Sequence, residues 1–293
     1  MSDGGVDGSP DEVVAGGPSS TANLPPTGQW EVTIATYGRR LTDRGEVFLN
    51  HHLYAEPDAP IGMDYFVWVI RNSERTILVD TGFSAAGGAA RKRTTLIPPM
   101  EAFAALGITP ESAPPIVITH AHYDHAGNIG HFPKSQVVIA KNEYDFWTSS
   151  HSKRTQFHHS IEDAEIDDLA VVAAEGRMTT FSGRHEVAPG IEVIEVGGHT
   201  PGQSIVTVAT SDGTVLLASD ALHYYEEFDR DMPFTYVADL IGMYEAFDVI
   251  RELGEDGAYS HLVAGHDPST LERFSAVTDG PLAGLAATIG GAQ

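Results

Sequence analysis

Residues 116–127 read Ile-Val-Ile-Thr-His-Ala-His-Tyr-Asp-His-Ala-Gly, an apolar triplet followed by three histidines and one aspartate within six positions. The triplet predicts the end of a buried strand. His120 and His122 are two residues apart, so an extended chain places both imidazoles on one side. The next two ligand-type residues, Asp124 and His125, turn the chain and serve a neighbouring position. Four such residues at one strand end predict a metal site rather than a solvated loop.

Three later segments each place a ligand-type residue where a predicted strand gives way to a turn. His199 stands in Gly-Gly-His-Thr-Pro-Gly, directly after the alternating run 191–196. Asp220 ends the apolar run 215–219, and His266 ends a third such run. A single histidine of this kind is more often a core or turn residue. Three such residues together with the first cluster favour one shared metal site.

The motif His-x-His-x-Asp-His, a later Gly-His-x-x-Gly, a strand-ending Asp and a final Gly-His resemble the metallo-β-lactamase superfamily. The resemblance covers the chain from about residue 30 to residue 274. It includes residues 76–82, Thr-Ile-Leu-Val-Asp-Thr-Gly, which match the early strand of that superfamily. It implies a fold of the metallo-β-lactamase type.

The resemblance also implies the ligands of two divalent metal ions, all of them imidazoles or carboxylates. The first metal would be held by His120, His122 and His199, the second by Asp124, His125 and His266, and Asp220 would bridge the two. Asp80 would support a ligand from behind. This donor set suits zinc best, and iron, cobalt and manganese remain open.

The ligand set also narrows the branch of the superfamily. Lactamases with a cysteine ligand are excluded because the chain has no Cys, and the bridging Asp220 argues against the other lactamases. Flavodiiron proteins carry Glu at the position of His122. Glyoxalase II thioesterases and N-acyl homoserine lactonases keep all seven ligands, and the segments around Asp220 and His266 resemble the lactonases. Known lactonases have Tyr three residues after the bridging Asp, whereas this chain has His223, followed by Tyr224.

The activity implied is that of a dinuclear metal-dependent hydrolase. It would open a lactone ring, an N-acyl homoserine lactone or a related cyclic ester, by attack of a metal-bridging hydroxide on the carbonyl carbon. Asp124 or Asp220 would shuttle the proton. His223 or Tyr224 would donate a hydrogen bond to the carbonyl oxygen.

Two other functions remain open from the sequence. A glyoxalase II-like thioesterase should carry basic residues near its C-terminus to hold glutathione carboxylates, but Arg273 is the only Lys or Arg beyond His266. A non-catalytic metal-binding or ligand-sensing protein is the second alternative. The intact ligand set argues against it, because such relatives commonly lose ligands.

The composition limits the partners. The 293-residue chain is 42% hydrophobic, enough for the core of one domain, and its formal charge is −24. Such an acidic chain disfavours nucleic acid and membranes, so we expect a small-molecule lactone or ester as the partner and leave a homodimer open. No apolar run approaches the ~20 residues of a membrane span. The cytoplasm is the default localisation.

Two regions differ from the predicted hydrolase domain at residues 29–293. Residues 1–28 are rich in Gly, Ser, Pro and Asp and lack the basic start and apolar core of a secretory signal. They predict a disordered acidic tail. Residues 149–176 form a polar insertion that could act as a lid, with a helix predicted over residues 161–174.

The remaining elements follow from periodicity. Predicted strands are 30–36, 65–70, 76–79, 114–118 and 136–139 in the first half, and 191–196, 204–209 and 214–218 in the second. Predicted helices are 100–106, 141–148 and 240–253. In the last helix a stripe at helical spacing is expected to face the core: Ile241, Tyr244, Phe247, Val249, Ile250 and Leu253. Two sheets covered by outer helices predict an α/β fold, an αββα sandwich.

Overall fold

A computed structural model describes Met1 and residues 29–291. The strands of this part are β1 (Glu31–Asp43), β2 (Pro60–Arg71), β3 (Thr76–Val79), β4 (Thr94–Thr95), β5 (Ile116–Ile118), β6 (Val137–Ala140), β7 (Met178–Phe181), β8 (Arg184–Ala188), β9 (Ile191–Glu195), β10 (Ser204–Thr210), β11 (Gly213–Ser219), β12 (His261–Ala264), β13 (Ser275–Ala276) and β14 (Ala286–Ile289). The α-helices are α1 (Arg44–Val47), α2 (Ala85–Ala90), α3 (Pro99–Ala105), α4 (Tyr123–Ala126), α5 (Lys141–Trp147), α6 (Thr155–His158), α7 (Asp163–Ala174), α8 (Tyr225–Asp229) and α9 (Leu240–Glu255).

The strands form two sheets. The larger sheet has nine strands in the order β13-β14-β1-β2-β3-β5-β6-β7, with β4 paired to β1. The smaller sheet has five strands in the order β12-β11-β10-β9-β8. Strands β3, β5, β6 and β7 run parallel, as do β11 and β12. The carboxyl ends of parallel strands meet at one edge of a sheet, which concentrates the loops that follow them.

Alternating side chains build the layers. Along β2, Phe66 and Trp68 belong to the apolar cluster between the two sheets, whereas Val67 and Val69 belong to the cluster on the outer face of the larger sheet. Helices α3 and α7 cover that outer face, and a third cluster packs α9 against the smaller sheet. The molecule is therefore an αββα sandwich, as predicted.

The predicted strands and helices are present, although their first and last residues differ from the prediction. Several short strands and helices of the structure were not predicted. Strand β1 continues to Asp43 because it pairs with the long β2 past a bulge between Thr36 and Gly38. Strands β7, β8, β13 and β14 and the short helices α1, α2, α4, α6 and α8 carry too little periodicity to be predicted. The tail predicted at residues 1–28 lies, apart from Met1, outside the described residues. In the described part, no helix has both the length and the apolar character required to cross a membrane.

The expected core stripe of α9 is partly wrong. Ile241 and Tyr244 are exposed, at 72% and 38% of their surface. The buried face consists of Gly242, Met243, Ala246, Phe247 and Ile250. The helix starts against Gly198, where a Cβ would lie 2.6 Å from the Cα of Met243. This backbone approach sets the rotation of the helix and turns Ile241 outward.

The insertion at residues 149–176 folds into α6 and α7. Arg91 fastens the segment between these helices: its guanidinium donates to the carbonyls of His159 at 2.7 Å and Ile161 at 3.0 Å and pairs with Glu162 at 2.5 Å. Helix α7 buries Ile166, Leu169 and Val172 against the larger sheet. The insertion is thus packed on the body, and its role as a lid stays a prediction.

Glu165 on α7 is a buried carboxyl with one unpaired oxygen. It is 4% exposed, and its Oε1 accepts a hydrogen bond from Ser84 Oγ at 2.8 Å. Among the described residues Oε2 has no partner. Burial raises the pKa of Glu165 from 4.5 to about 7. The folded protein therefore holds this proton more tightly than the unfolded chain, and its stability falls as the pH rises from about 4.5 through 7.

We expect Glu165→Gln to raise the free energy of unfolding by about 1–3 kcal/mol at pH 8 and by little at pH 5. The reason is that the neutral amide, unlike the buried carboxyl, does not ionise between these pH values. Urea unfolding of the metal-loaded protein at both pH values measures the difference. Glu255→Gln, at an exposed position, is the control and should show no such pH dependence. Equal stability of Glu165→Gln and the parent at pH 8 would contradict the raised pKa.

Candidate metal centre

The ligand-bearing loops emerge at one edge of the sandwich. Strand β5 leads to His120, and strands β9, β11 and β12 lead to His199, Asp220 and His266. The two sheets are joined beside this edge, where the Ser204 N–H donates to the carbonyl of Thr119 at 3.0 Å. Loops that are distant in sequence therefore meet here.

The loop after β5 turns through one short helix. His122 is extended and is the N-cap residue of α4, which carries Asp124 and His125. Gly127 follows in a confined space, because a Cβ there would lie 2.5 Å from the backbone N of Ser84 and from the carbonyl of Tyr123. Only glycine fits this close approach, which explains the last residue of the opening motif.

The seven side chains of the implied ligand set lie together and form two groups. One group is His120, His122, His199 and Asp220, and the other is Asp124, His125 and His266. Within each group the ligand atoms lie within 4.8 Å of one another, and all seven residues are buried.

Asp220 connects the two groups. Its Oδ2 lies 3.3 Å from Nε2 of His199 and 3.7 Å from Nε2 of His120. Its Oδ1 lies 3.2 Å from Nε2 of His125 and 3.1 Å from Nε2 of His266. Nε2 of His266 also lies 3.3 Å from Oδ2, so the Asp220 carboxylate contacts imidazoles of both groups, which is the position of a bridging ligand.

Unpaired polar atoms inside the site fit bound cations. Among the described residues, Nε2 of His120, Nε2 of His125 and Oδ1 of Asp220 are buried without a hydrogen-bond partner. Each such atom costs roughly 1–3 kcal/mol when left unsatisfied. Divalent cations would satisfy all three, and imidazole and carboxylate are the donors that zinc takes in proteins.

The protonation states of four ligands agree with metal binding. Burial and neighbouring imidazoles lower the pKa of His120 and of His122 well below the usual range. Burial lowers the pKa of His199 to about 3. Burial raises the pKa of Asp220, but the facing histidines outweigh it and hold that pKa well below its usual range. Neutral imidazoles and an ionised carboxylate are the forms that bind a metal. At His125, burial lowers the pKa, but the carboxylates of Asp220, Asp80 and Asp124 outweigh it and raise that pKa well above its usual range, so a bound cation would have to displace this proton.

Acceptors behind the histidines fix their tautomers. Nδ1 of His125 lies 2.7 Å from Oδ2 of Asp80, and Nδ1 of His266 lies 2.8 Å from the carbonyl of Asp64. Both Nδ1 atoms therefore carry a hydrogen, and both Nε2 atoms face the site, where they would bind a cation. Asp80 also accepts from the N–H and Oγ1 of Thr119, both at 2.8 Å. It occupies the supporting position that the resemblance implies.

Residues 62–256 match the model of the metallo-β-lactamase superfamily. The chain belongs to this superfamily.

Relatives within the superfamily are lactonases. An N-acyl homoserine lactonase from a Bacillus species is 28% identical over 189 residues, which cover 59% of this chain and 70% of the relative. Another, from Bacillus cereus, is 27% identical over 212 residues, which cover 67% of this chain and 78% of the relative. A third, AttM from Azorhizobium caulinodans, is 26% identical over 58% of this chain and 64% of its own length.

Solved structures share the fold. A quorum-quenching N-acyl homoserine lactone lactonase superposes with a TM-score of 0.69 at 20% identity, over 84% of this chain and 95% of that structure. AidC, a dizinc quorum-quenching lactonase in complex with a product, gives a TM-score of 0.65 at 20% identity, over 84% and 90%. At this identity the match shows the metallo-β-lactamase fold.

A buried glutamate that the sequence analysis does not single out joins two ligand loops of this metallo-β-lactamase fold. Glu143 on α5 accepts four hydrogen bonds of 2.6–2.9 Å, from the N–H of Ala121, the N–H of Gly202, Oγ1 of Thr200 and Nε1 of Trp147. Ala121 lies between His120 and His122, and Thr200 follows His199. One side chain therefore positions the backbone around all three histidines of the first group. An isolated Glu in a helix carries no sequence signal of such a role.

The structure separates the two candidates for the electrophilic helper. His223 lies in the site, with Nε2 3.1 Å from Oδ2 of Asp220 and Nδ1 3.2 Å from Oε2 of Glu227. Its ring stacks on Phe234 at a centroid distance of 3.8 Å. The Tyr224 hydroxyl instead donates to the carbonyl of Gly62 at 3.0 Å, and its side chain does not line the cavity beside the ligands.

That cavity has a volume of about 140 Å³ and is bounded by the ligand side chains on one side. Residues that the sequence analysis missed form much of the remaining wall: Tyr65, Tyr123, Tyr236, Arg40 and Arg93. The ring of Tyr65 packs edge-on against His266 at 5.1 Å. These residues come from separate strands and loops, so no local pattern predicts them.

We expect Glu143→Gln to weaken zinc binding about 10- to 100-fold, because the amide cannot accept all four hydrogen bonds and the ligand loops lose a shared anchor. Competition with a chromophoric zinc chelator measures the affinity. Glu186→Gln, at an exposed position, is the control and should bind zinc like the parent. Parent-like zinc affinity in Glu143→Gln would show that Glu143 does not position the ligands.

Proposed function

We propose that this chain is a dinuclear metal-dependent hydrolase that opens a lactone ring, an N-acyl homoserine lactone or a related cyclic ester. The observation that carries the proposal is the Asp220 carboxylate, which contacts imidazoles of both groups of buried ligands. The lactonase relatives supply the substrate class. The ions we propose are two Zn²⁺, with iron, cobalt or manganese as alternatives.

Two bound divalent ions supply Lewis acidity and lower the pKa of water toward neutrality. The chain then has to orient the ester and move one proton. Asp124 lies on the cavity wall, with Oδ2 3.9 Å from Nε2 of His266. In this proposal the Asp124 carboxylate accepts the proton that the attacking water releases. It then donates this proton to the ring oxygen as the ester bond breaks. Because the ring is cyclic, both product ends stay in one molecule.

His223 is the helper that we propose for the carbonyl oxygen. It lines the cavity, and the stacked Phe234 ring holds its imidazole in place. Nε2 lies 3.1 Å from Oδ2 of Asp220 but has no hydrogen-bond partner among the described residues. A hydrogen bond from this atom would stabilise the negative charge that develops on the carbonyl oxygen. The Tyr224 hydroxyl is already used by Gly62, so we assign Tyr224 to packing.

The thioesterase alternative would require basic side chains from the C-terminal region at the cavity, to hold the glutathione carboxylates. Arg273, the only Lys or Arg beyond His266, places its guanidinium 3.5 Å above the ring of Tyr225 and does not line the cavity. Hydrolysis of a panel of lactones, thioesters, phosphodiesters and β-lactams by the zinc-loaded protein distinguishes these activities. If the zinc-loaded protein hydrolyses none of these substrates, the remaining alternative is a non-catalytic metal-binding or ligand-sensing protein.

We expect elemental analysis of metal-replete protein to find two divalent ions per chain. Replacing Asp220 by Ala should lower the metal content and abolish lactone turnover, because the two groups lose their shared carboxylate. Glu245→Ala, at an exposed position on α9, is the control and should keep both. A parent content that never exceeds one ion, or normal turnover by Asp220→Ala, would refute the dinuclear assignment.

A second pair of variants tests the helper. His223→Ala should lower kcat on the best lactone on the order of 10²-fold, as loss of one oxyanion donor does elsewhere. Tyr224→Phe should change kcat much less, because its hydroxyl binds a carbonyl away from the cavity. Metal content must be measured alongside, since His223 touches Asp220. Parent-like kcat for His223→Ala at full metal content would show that the metals alone polarise the carbonyl.

A further inference from the structure

Two arginines of the cavity wall form no ion pair with any residue that the structure describes. The chain has 41 acidic and 17 basic residues, so a cation here has many carboxylates available. Several arginines use them: Arg44 pairs with Glu226 at 2.7 Å, and Arg251 pairs with Asp231 at 2.6 Å. By contrast, no carboxylate of a described residue lies within 4.0 Å of a nitrogen of Arg40 or Arg93.

The contacts of Arg93 leave part of its guanidinium free. Nε donates to the Tyr123 hydroxyl at 2.9 Å, and Nη1 donates to the carbonyl of Arg91 at 3.0 Å. In the part of the chain that the structure describes, Nη2 has no hydrogen-bond acceptor. The side chain is half-buried on the cavity wall. It is thus held in place by two neutral groups and forms no ion pair in the described part, while the Asp124 carboxylate acts on it only from a longer distance.

Arg40 adds a second charge to the same wall. Its Nη2 donates to Oγ1 of Thr42 at 2.7 Å, again a neutral group. Arg91 also lines the cavity but differs, because Glu162 neutralises it at 2.5 Å. Half-burying a charge without a partner is unfavourable unless a ligand supplies that partner. A wholly neutral substrate would leave both guanidinium groups unpaired when it displaced their water.

We propose that the substrate carries a carboxylate outside its scissile ester, and that Arg93, with Arg40 beside it, binds this carboxylate in the cavity. This inference rests on the proposed function for the ester itself. The planar guanidinium matches a carboxylate and gives stronger hydrogen bonds than a neutral donor. Arg93 and Arg40 would then determine which lactones are used rather than take part in the chemistry.

A matched pair of lactones tests this. Homoserine lactone is linked to adipic acid through one carboxyl, and the other end is left as a free carboxylate or converted to the methyl ester. The zinc-loaded parent should prefer the free acid by about tenfold or more in kcat/KM, mainly through KM. Raising sodium chloride from about 50 to about 500 mM should reduce this preference, because salt screens the pair.

Variants assign the preference to Arg93. Arg93→Met should bring the ratio of the two kcat/KM values to about one, and Arg93→Lys should restore part of it. Arg39→Met is the control: Arg39 pairs with Asp64 and does not line the cavity, so the preference should persist. The ratio compares two substrates on the same variant. A loss of folded protein, or a shift of Tyr123 that lowers both kcat/KM values equally, therefore does not change the ratio. A parent ratio of one or below, or an unchanged ratio in Arg93→Met, would overturn the proposal.

A different experimental result would show that the proposed lactonase function is wrong. Should the zinc-loaded parent open neither lactone, or cleave a glutathione thioester faster than both, the lactonase assignment is wrong. Calorimetric binding of the two non-hydrolysable γ-lactam analogues, free acid and methyl ester, to the parent and to Arg93→Met then still decides carboxylate recognition. Equal affinity of the parent for both analogues would refute it, and an acid preference lost in Arg93→Met would support it.

Discussion

The burial of six ligand groups around the Asp220 carboxylate is the constraint on which the rest of the site depends. Polar atoms such as Nε2 of His120 and Nε2 of His125 point inward without partners, and the carboxylate between them is fully enclosed. Burial of this kind is costly unless cations enter. Other buried acids hold the surrounding backbone: Asp80 binds Thr119 and His125, and Glu143 binds both loops of the first group.

The sandwich supplies the positions for these groups. Parallel pairing of β3 with β5 and of β11 with β12 brings strand ends together within each sheet, and the bond from Ser204 to Thr119 joins the two sheets beside the site. Close backbone approaches then lock the loops. Gly198 lets the start of α9 pack directly behind His199, and Gly127 closes the loop that carries Asp124 and His125.

The metal ligands and the residues that face the substrate differ in how far the sequence predicts them. The metal side is built from a dense pattern shared with the superfamily, whereas the substrate side is built from Tyr65, Arg93, Tyr236 and His223, which come from separate elements. Relatives at 26–28% identity are named N-acyl homoserine lactonases and inform the substrate side only by class. On the substrate side, His223 is stacked on Phe234 at the position where the resemblance implies a Tyr, and Arg93 forms no ion pair with a described residue.

The sequence by itself determined the sandwich and the metal-ligand candidates, because ligand residues at strand ends and alternating apolar residues are local signals. It could not place Tyr224, whose hydroxyl binds Gly62 some 160 residues away in sequence. It also misjudged α9, whose exposed Ile241 depends on the contact with Gly198. The sequence likewise did not predict the roles of Glu143 and Arg93. Their roles arise from contacts between distant segments, and only the tertiary structure decides which segments meet.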